Sequence, residues 1–104
     1  MTQFRLLPAV VEDTAQAARW YDEEGYLGLG DRFVAVFYAC LPHIQQQGRI
    51  HRPVYMDFRR ILLGPFPYAV YYRYHDDWVV ISLLIHAARS PRLLRKLLRE
   101  RRRG

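Results

Sequence analysis

The chain has 104 residues, 51% of them hydrophobic, and a formal net charge of +6. That length supports one domain over residues 1–104, because two smaller units would each bury too little surface. Its only cysteine, Cys40, excludes an internal disulfide and reads as a buried thiol in a reducing compartment. No apolar run approaches the ~18 residues that a membrane span needs, and no targeting segment is visible, so a cytoplasmic protein with no membrane partner is expected.

The elements follow in order. Gln3-Phe4-Arg5-Leu6-Leu7 alternates and is stopped by Pro8, which suits an edge strand. A helix is expected next, with Val11, Ala15, Ala18 and Tyr21 inward, Glu12 and Asp13 near its positive end, and Gly25 at its close. Gly28 to Phe33 turns into a second helix whose inner face is Leu29, Phe33, Val36, Phe37, Cys40, Leu41 and Ile44, with Gly48 at its end. Pro42 should kink that helix or mark its last turn. The two helices read as an antiparallel hairpin with one apolar face.

After the basic, irregular stretch 49–53, Val54 to Leu63 has strand character, and Gly64-Pro65 leads into a hairpin of two apolar and aromatic runs, 66–74 and 78–85, joined by His75-Asp76-Asp77. The second run is apolar on both faces and belongs at the centre of the sheet, with helices against one side. Ser90 as N-cap and Pro91 in the first turn start a last helix over Arg92 to Arg103, whose Leu93, Leu94, Leu97 and Leu98 form a stripe on a basic background. The expected fold is α+β, in the order β-α-α-β-β-β, with an antiparallel sheet packed on a helical hairpin and a C-terminal basic helix.

Charge is unevenly placed. Residues 1–48 carry three arginines against six acids, a balance of −3, and residues 49–104 carry thirteen bases against four acids, a balance of +9. The basic half should draw an acidic partner, either nucleic acid or an acidic protein segment. Fifteen of the sixteen bases are arginine. Four scattered histidines and one cysteine offer no metal-ligand spacing, and there is no glycine-rich phosphate loop, so neither a metal nor a cofactor is expected.

Four segments together resemble the RelE/ParE superfamily of bacterial type II toxins: Gly28-Leu29-Gly30-Asp31-Arg32-Phe33 after an acidic helix, Arg59-Arg60-Ile61-Leu62-Leu63, Phe66-Pro67-Tyr68-Ala69-Val70-Tyr71-Tyr72, and His86-Ala87-Ala88-Arg89-Ser90-Pro91. The resemblance spans most of the chain. It implies a small toxin fold silenced by a cognate antitoxin, in a toxin-antitoxin hetero-oligomer. RelE-like members cleave messenger RNA on the ribosome with arginines and general acids and bases; ParE-like members inhibit DNA gyrase. Ala69 stands where those nucleases typically carry arginine, and the second strand has Arg59 and Arg60 in place of lysine. The Phe-Pro-Tyr opening and the His-x-x-Arg closing are common in ParE-like members.

The resemblance therefore implies gyrase inhibition by protein contact, with an mRNA endonuclease acting on the ribosome as the alternative. A third reading is a basic scaffold or nucleic-acid binder that has kept the fold. For a nuclease the catalytic candidates are Arg60, His86 and Arg89. For target or antitoxin binding they are Arg59, Arg60, Arg73, Arg89, Leu93, Leu94, Leu97 and Leu98. Each has a plainer reading: His86 bonded to backbone at a strand end, Arg89 capping the last helix, Arg59, Arg60 and Arg73 on a solvated face, and Tyr68 and Tyr72 in the core.

Overall fold

Proline opens two of the three helices. The computed structural model of the chain describes residues 2–103. Strand β1 (Gln3–Leu6) leads into α1 (Pro8–Glu24), and α2 (Leu29–Gln47) follows. Then come a 3-10 turn at Gly48–Ile50, strands β2 (Arg59–Leu62), β3 (Tyr68–His75) and β4 (Trp78–His86), and α3 (Pro91–Arg101). Pro8 and Pro91 sit in first turns, where the missing N–H has no helical partner to lose. The Ser90 hydroxyl caps α3 by accepting from the Leu93 N–H at 3.2 Å. Between α1 and α2, the Asp22 carboxylate accepts from the Gly28 and Gly30 N–H groups at 3.2 and 2.8 Å. Gly28 has a φ of 98°, and a Cβ at Gly30 would lie 2.4 Å from the Ala18 carbonyl oxygen, so the close helix approach requires glycine.

The sheet order is β1-β4-β3-β2, and β1 pairs with β4 in parallel. The expected antiparallel sheet is therefore mixed. The cause lies at Leu7-Pro8, where the chain does not double back. The Leu7 N–H bonds the Ile81 carbonyl, Asp13 reaches Leu84, and Tyr21 lies against Tyr68, the partner of His86. Helix α1 thus continues in the direction of β1, and the reversal comes at the α1–α2 turn.

Both faces of the sheet are covered, not one. On one side the hairpin packs Val10, Ala17, Phe33, Phe37 and Ile44 onto Val70, Tyr72, Val79, Ile81 and Leu84. On the other, Leu98 of α3 and Phe58 cover Ala69, Tyr71, Leu83 and Ile85. Strand β4 serves both cores because Tyr71 pairs with Leu83 while Tyr72 pairs with Ile81, which leaves Ser82 as an unpaired bulge residue. The extra residue reverses the alternation, so Ile81 and Leu84 face the hairpin while Leu83 and Ile85 face α3.

Two further expectations are corrected, the inner face of α1 and the start of the second strand. The buried stripe of α1 is Val10, Thr14 and Ala17, one position from the expected phase, and Val11 is exposed; Thr14 tolerates burial because its hydroxyl donates to the Val10 carbonyl at 2.8 Å. Helix α2 runs to Gln47 with Gly48 at its end, as expected, so Pro42 lies inside it and not in its last turn. Residues 54–58 form a tight turn closed by Val54 and Phe58 bonds, with Met56 at a φ of 53°, so the second strand begins only at Arg59.

Candidate functional site: an open sheet edge between two helices

Strand β1 is four residues long and accompanies β4 only to Ile81. Beyond it, the outer edge of β4 from Ser82 to His86 has no neighbouring strand among the described residues. Helix α1 borders this gap on one side and α3 on the other, leaving a groove of about 800 Å³ lined by Asp13, Trp20, Tyr68, His86, Arg89, Leu93, Leu97 and Arg101, among others. An unpaired edge is a template for another chain unless something occupies its polar groups. Here Asp13 and Arg101 do so in part. The Leu84 N–H donates to Asp13 Oδ2 at 3.2 Å, and Arg101 Nη1 donates to the Ser82 carbonyl freed by the bulge at 3.0 Å. Arg101 also grips Asp13 with both guanidinium nitrogens, at 2.8 and 2.9 Å, with each side chain 17% exposed.

At the far end of the groove the Tyr68 and His86 rings meet edge to face, 5.2 Å between centroids. Burial raises the Tyr68 hydroxyl pKa above its ordinary value, and the nearby Arg89 charge partly offsets that. His86 Nδ1 accepts from the Ala88 N–H at 3.0 Å. A neutral ring in that contact carries its proton on Nε2, so it offers a donor to the groove and has no free ring nitrogen to act as a base. Arg89 is exposed at the start of the turn into α3, with its backbone N–H on the His86 carbonyl at 3.1 Å.

The other candidates are dispersed. Arg60 on β2 is exposed and donates to the Tyr71 hydroxyl at 3.4 Å. Strand β3 lies between it and β4, so it sits about two strand spacings, roughly 10 Å, from the strand that carries His86. Arg59 pairs with Tyr72 and lies on the hairpin side, its guanidinium 5.3 Å from the Tyr74 ring centroid. Arg73 lies on the α3 side and donates to the Arg102 carbonyl at 3.3 Å. The Nε atoms of Arg59 and Arg73 are buried without a hydrogen-bond partner. The leucine stripe of α3 divides: Leu98 is fully buried, Leu94 and Leu97 pack partly against the same core, and Leu93 is 36% exposed. The sheet therefore occupies most of the stripe, and Leu93 and Leu97 line the groove.

Of the residues expected from the sequence, His86, Arg89, Leu93 and Leu97 meet here, whereas Asp13, Trp20 and Arg101 were not expected. Asp13 read as a helix-dipole charge and Arg101 as one cation of a basic tail. Only the pairing of β1 with β4 reveals that an edge is left for them to cover. Among the described residues no cluster of three or more His, Cys, Asp or Glu is placed to hold a metal ion. No protein-family model matches the chain, and no curated protein is significantly similar to it.

Proposed function

We propose that the chain is a RelE/ParE-like toxin of a bacterial type II toxin-antitoxin module, that an acidic antitoxin neutralises it, and that it acts on DNA gyrase by protein contact in the cytoplasm. The four motif segments and the element order β-α-α-β-β-β support the family reading. The choice of contact over RNA cleavage rests on two observations: Arg60 is two strands from the strand of His86, and the His86 Nδ1 is occupied by the Ala88 N–H. Acid–base and charge-stabilising groups are each worth about a hundredfold or more in rate only when they converge on the reacting atoms. No helix is long and apolar enough to cross a membrane among the described residues.

The groove suits an acidic antitoxin segment, with an apolar floor from Trp20, Leu93 and Leu97 and a positive rim from Arg89. The deciding experiment is a gyrase supercoiling assay with purified toxin. Inhibition is expected, reversed by the acidic product of a neighbouring reading frame, and Arg89→Glu should weaken it at least about tenfold while the protein stays folded. The alternative, an endonuclease acting on ribosome-bound mRNA, is favoured by the convergence of Tyr68, His86 and Arg89 in the groove. Cuts in mRNA on programmed ribosomes that vanish in His86→Ala, with gyrase unaffected, would overturn the gyrase reading.

A further inference from the structure

The outward face of α3, away from the groove's floor, carries Arg92, Lys96 and Arg99 at i, i+4 and i+7, with Arg95 beside them, and all four are exposed. None of them is in an ion pair among the described residues. Only Arg99 has a side-chain partner, the neutral Tyr55 hydroxyl at 3.1 Å. Only three arginines are paired with acids among the described residues, Arg19 with Glu12, Arg101 with Asp13 and Arg102 with Asp57, and none of the three belongs to this face. Glu100 is the only acid in the helix. Like charges one turn apart repel one another on a helix, and Glu100, at i+4 from Lys96, and the negative end of the helix dipole beside Arg99 offset only part of that. We infer that this face is a sequence-independent docking surface for the phosphate backbone of duplex DNA.

The spacing fits a polyanion. Successive cations rise by ~6 and ~4.5 Å along the helix axis, and B-DNA offers one negative charge per ~1.7 Å of its length. An acidic protein segment fits less well, because a stable protein interface needs an apolar centre, and Leu94, Leu97 and Leu98 pack against the sheet, which leaves Leu93 as the one exposed leucine of the helix. Duplex RNA also fits less well, since its deep, narrow major groove excludes a helix ridge that the wider groove of B-DNA admits. Contacts from these cations to phosphate oxygens position the duplex without reading its bases.

The test is fluorescence anisotropy with a labelled DNA duplex of about 20 base pairs, titrated over a range of salt. Wild-type protein should bind at low salt with a steep negative dependence of log K on log salt. The variant Arg92→Gln/Lys96→Gln/Arg99→Gln should bind at least about tenfold more weakly, with its salt slope shallower by about 2 to 3 and its melting temperature unchanged or higher. A charge-matched control, Arg5→Gln/Arg19→Gln/Arg32→Gln, should bind as the wild type does. Equal losses in both variants would reduce the effect to net charge and overturn the assignment. So would absent binding at low salt, or a polyglutamate or RNA duplex that competes as well as DNA. Because gyrase is not in the assay, failure here leaves the gyrase proposal standing, and failure there leaves this one.

Discussion

Tyr72 shows how one polar atom fastens the hairpin to the sheet. It is fully buried, and its hydroxyl donates to the Gly48 carbonyl at 2.7 Å, where α2 ends. Replacement by Phe leaves that carbonyl without its donor and should destabilise the fold by about 1–3 kcal/mol, measurable by urea unfolding. Burial, with smaller contributions from Tyr74 and other neighbours, pushes the hydroxyl pKa from 10.0 to about 12. The native state therefore holds a proton that the unfolded chain releases first. The stability from this group is whole below pH 10 and is lost as pH rises through about 12. The alkaline limb of a stability profile should be shallower in Tyr72→Phe. Cys40 behaves likewise, since burial pushes its thiol up to about 11. Thiol reagents should label it slowly in the folded protein at neutral pH and rapidly after unfolding.

Among the elements, α3 depends most on two contacts, Leu98 beneath it and Arg101 at its end. Leu98→Ala opens a cavity against Phe58, Tyr71 and Leu83 and should cost about 2–5 kcal/mol. Arg101→Ala strands the Asp13 charge, and at this partial exposure a loss of about 1–3 kcal/mol is expected, with faster hydrogen exchange in α3 than in β3. The helices and the central hairpin were legible in the sequence because their signals are local: Pro and Ser at helix starts, Gly25 and Gly48 at the ends, and two apolar runs around Asp76-Asp77. What was not legible is what distant pairing decides. Thr14 hid the true phase of α1 because a hydroxyl bonded within its own helix passes for a surface residue. The bulge at Ser82 cannot be seen in a run that is apolar on both faces. The open edge, and with it Asp13 and Arg101, depends on how far β1 extends along a strand that lies near the other end of the chain.

For the molecule as a whole, β4 links two cores that would otherwise be separable. Its residues from Val79 to Ile85 are all buried, some toward the hairpin and some toward α3. Unfolding should be one cooperative transition, with tryptophan fluorescence and far-ultraviolet circular dichroism superimposing; two separated transitions would show that α3 is a detachable cover. The division of charge, −3 against +9, is bridged inside the fold by Asp13 and Arg101, one from each half. Most of the remaining basic excess faces solvent, so if the proposed acidic antitoxin is the partner, its association rate should fall steeply as salt is added.

The pairing of Gln3 with Trp78 also sets a timetable for biosynthesis. A ribosome adds about 5–20 residues each second, so the first strand leaves the exit tunnel seconds before its hydrogen-bonding partner has been translated. During that interval α1 and α2 can form, but the apolar face that meets Val79, Ile81 and Leu84 has nothing to cover it. A nascent chain stalled just short of Trp78 is therefore a sticky helical hairpin with an unpaired leading strand, open to holdase chaperones and to proteases. Release of the last few dozen residues closes that window, and only then does the groove between α1 and α3 exist.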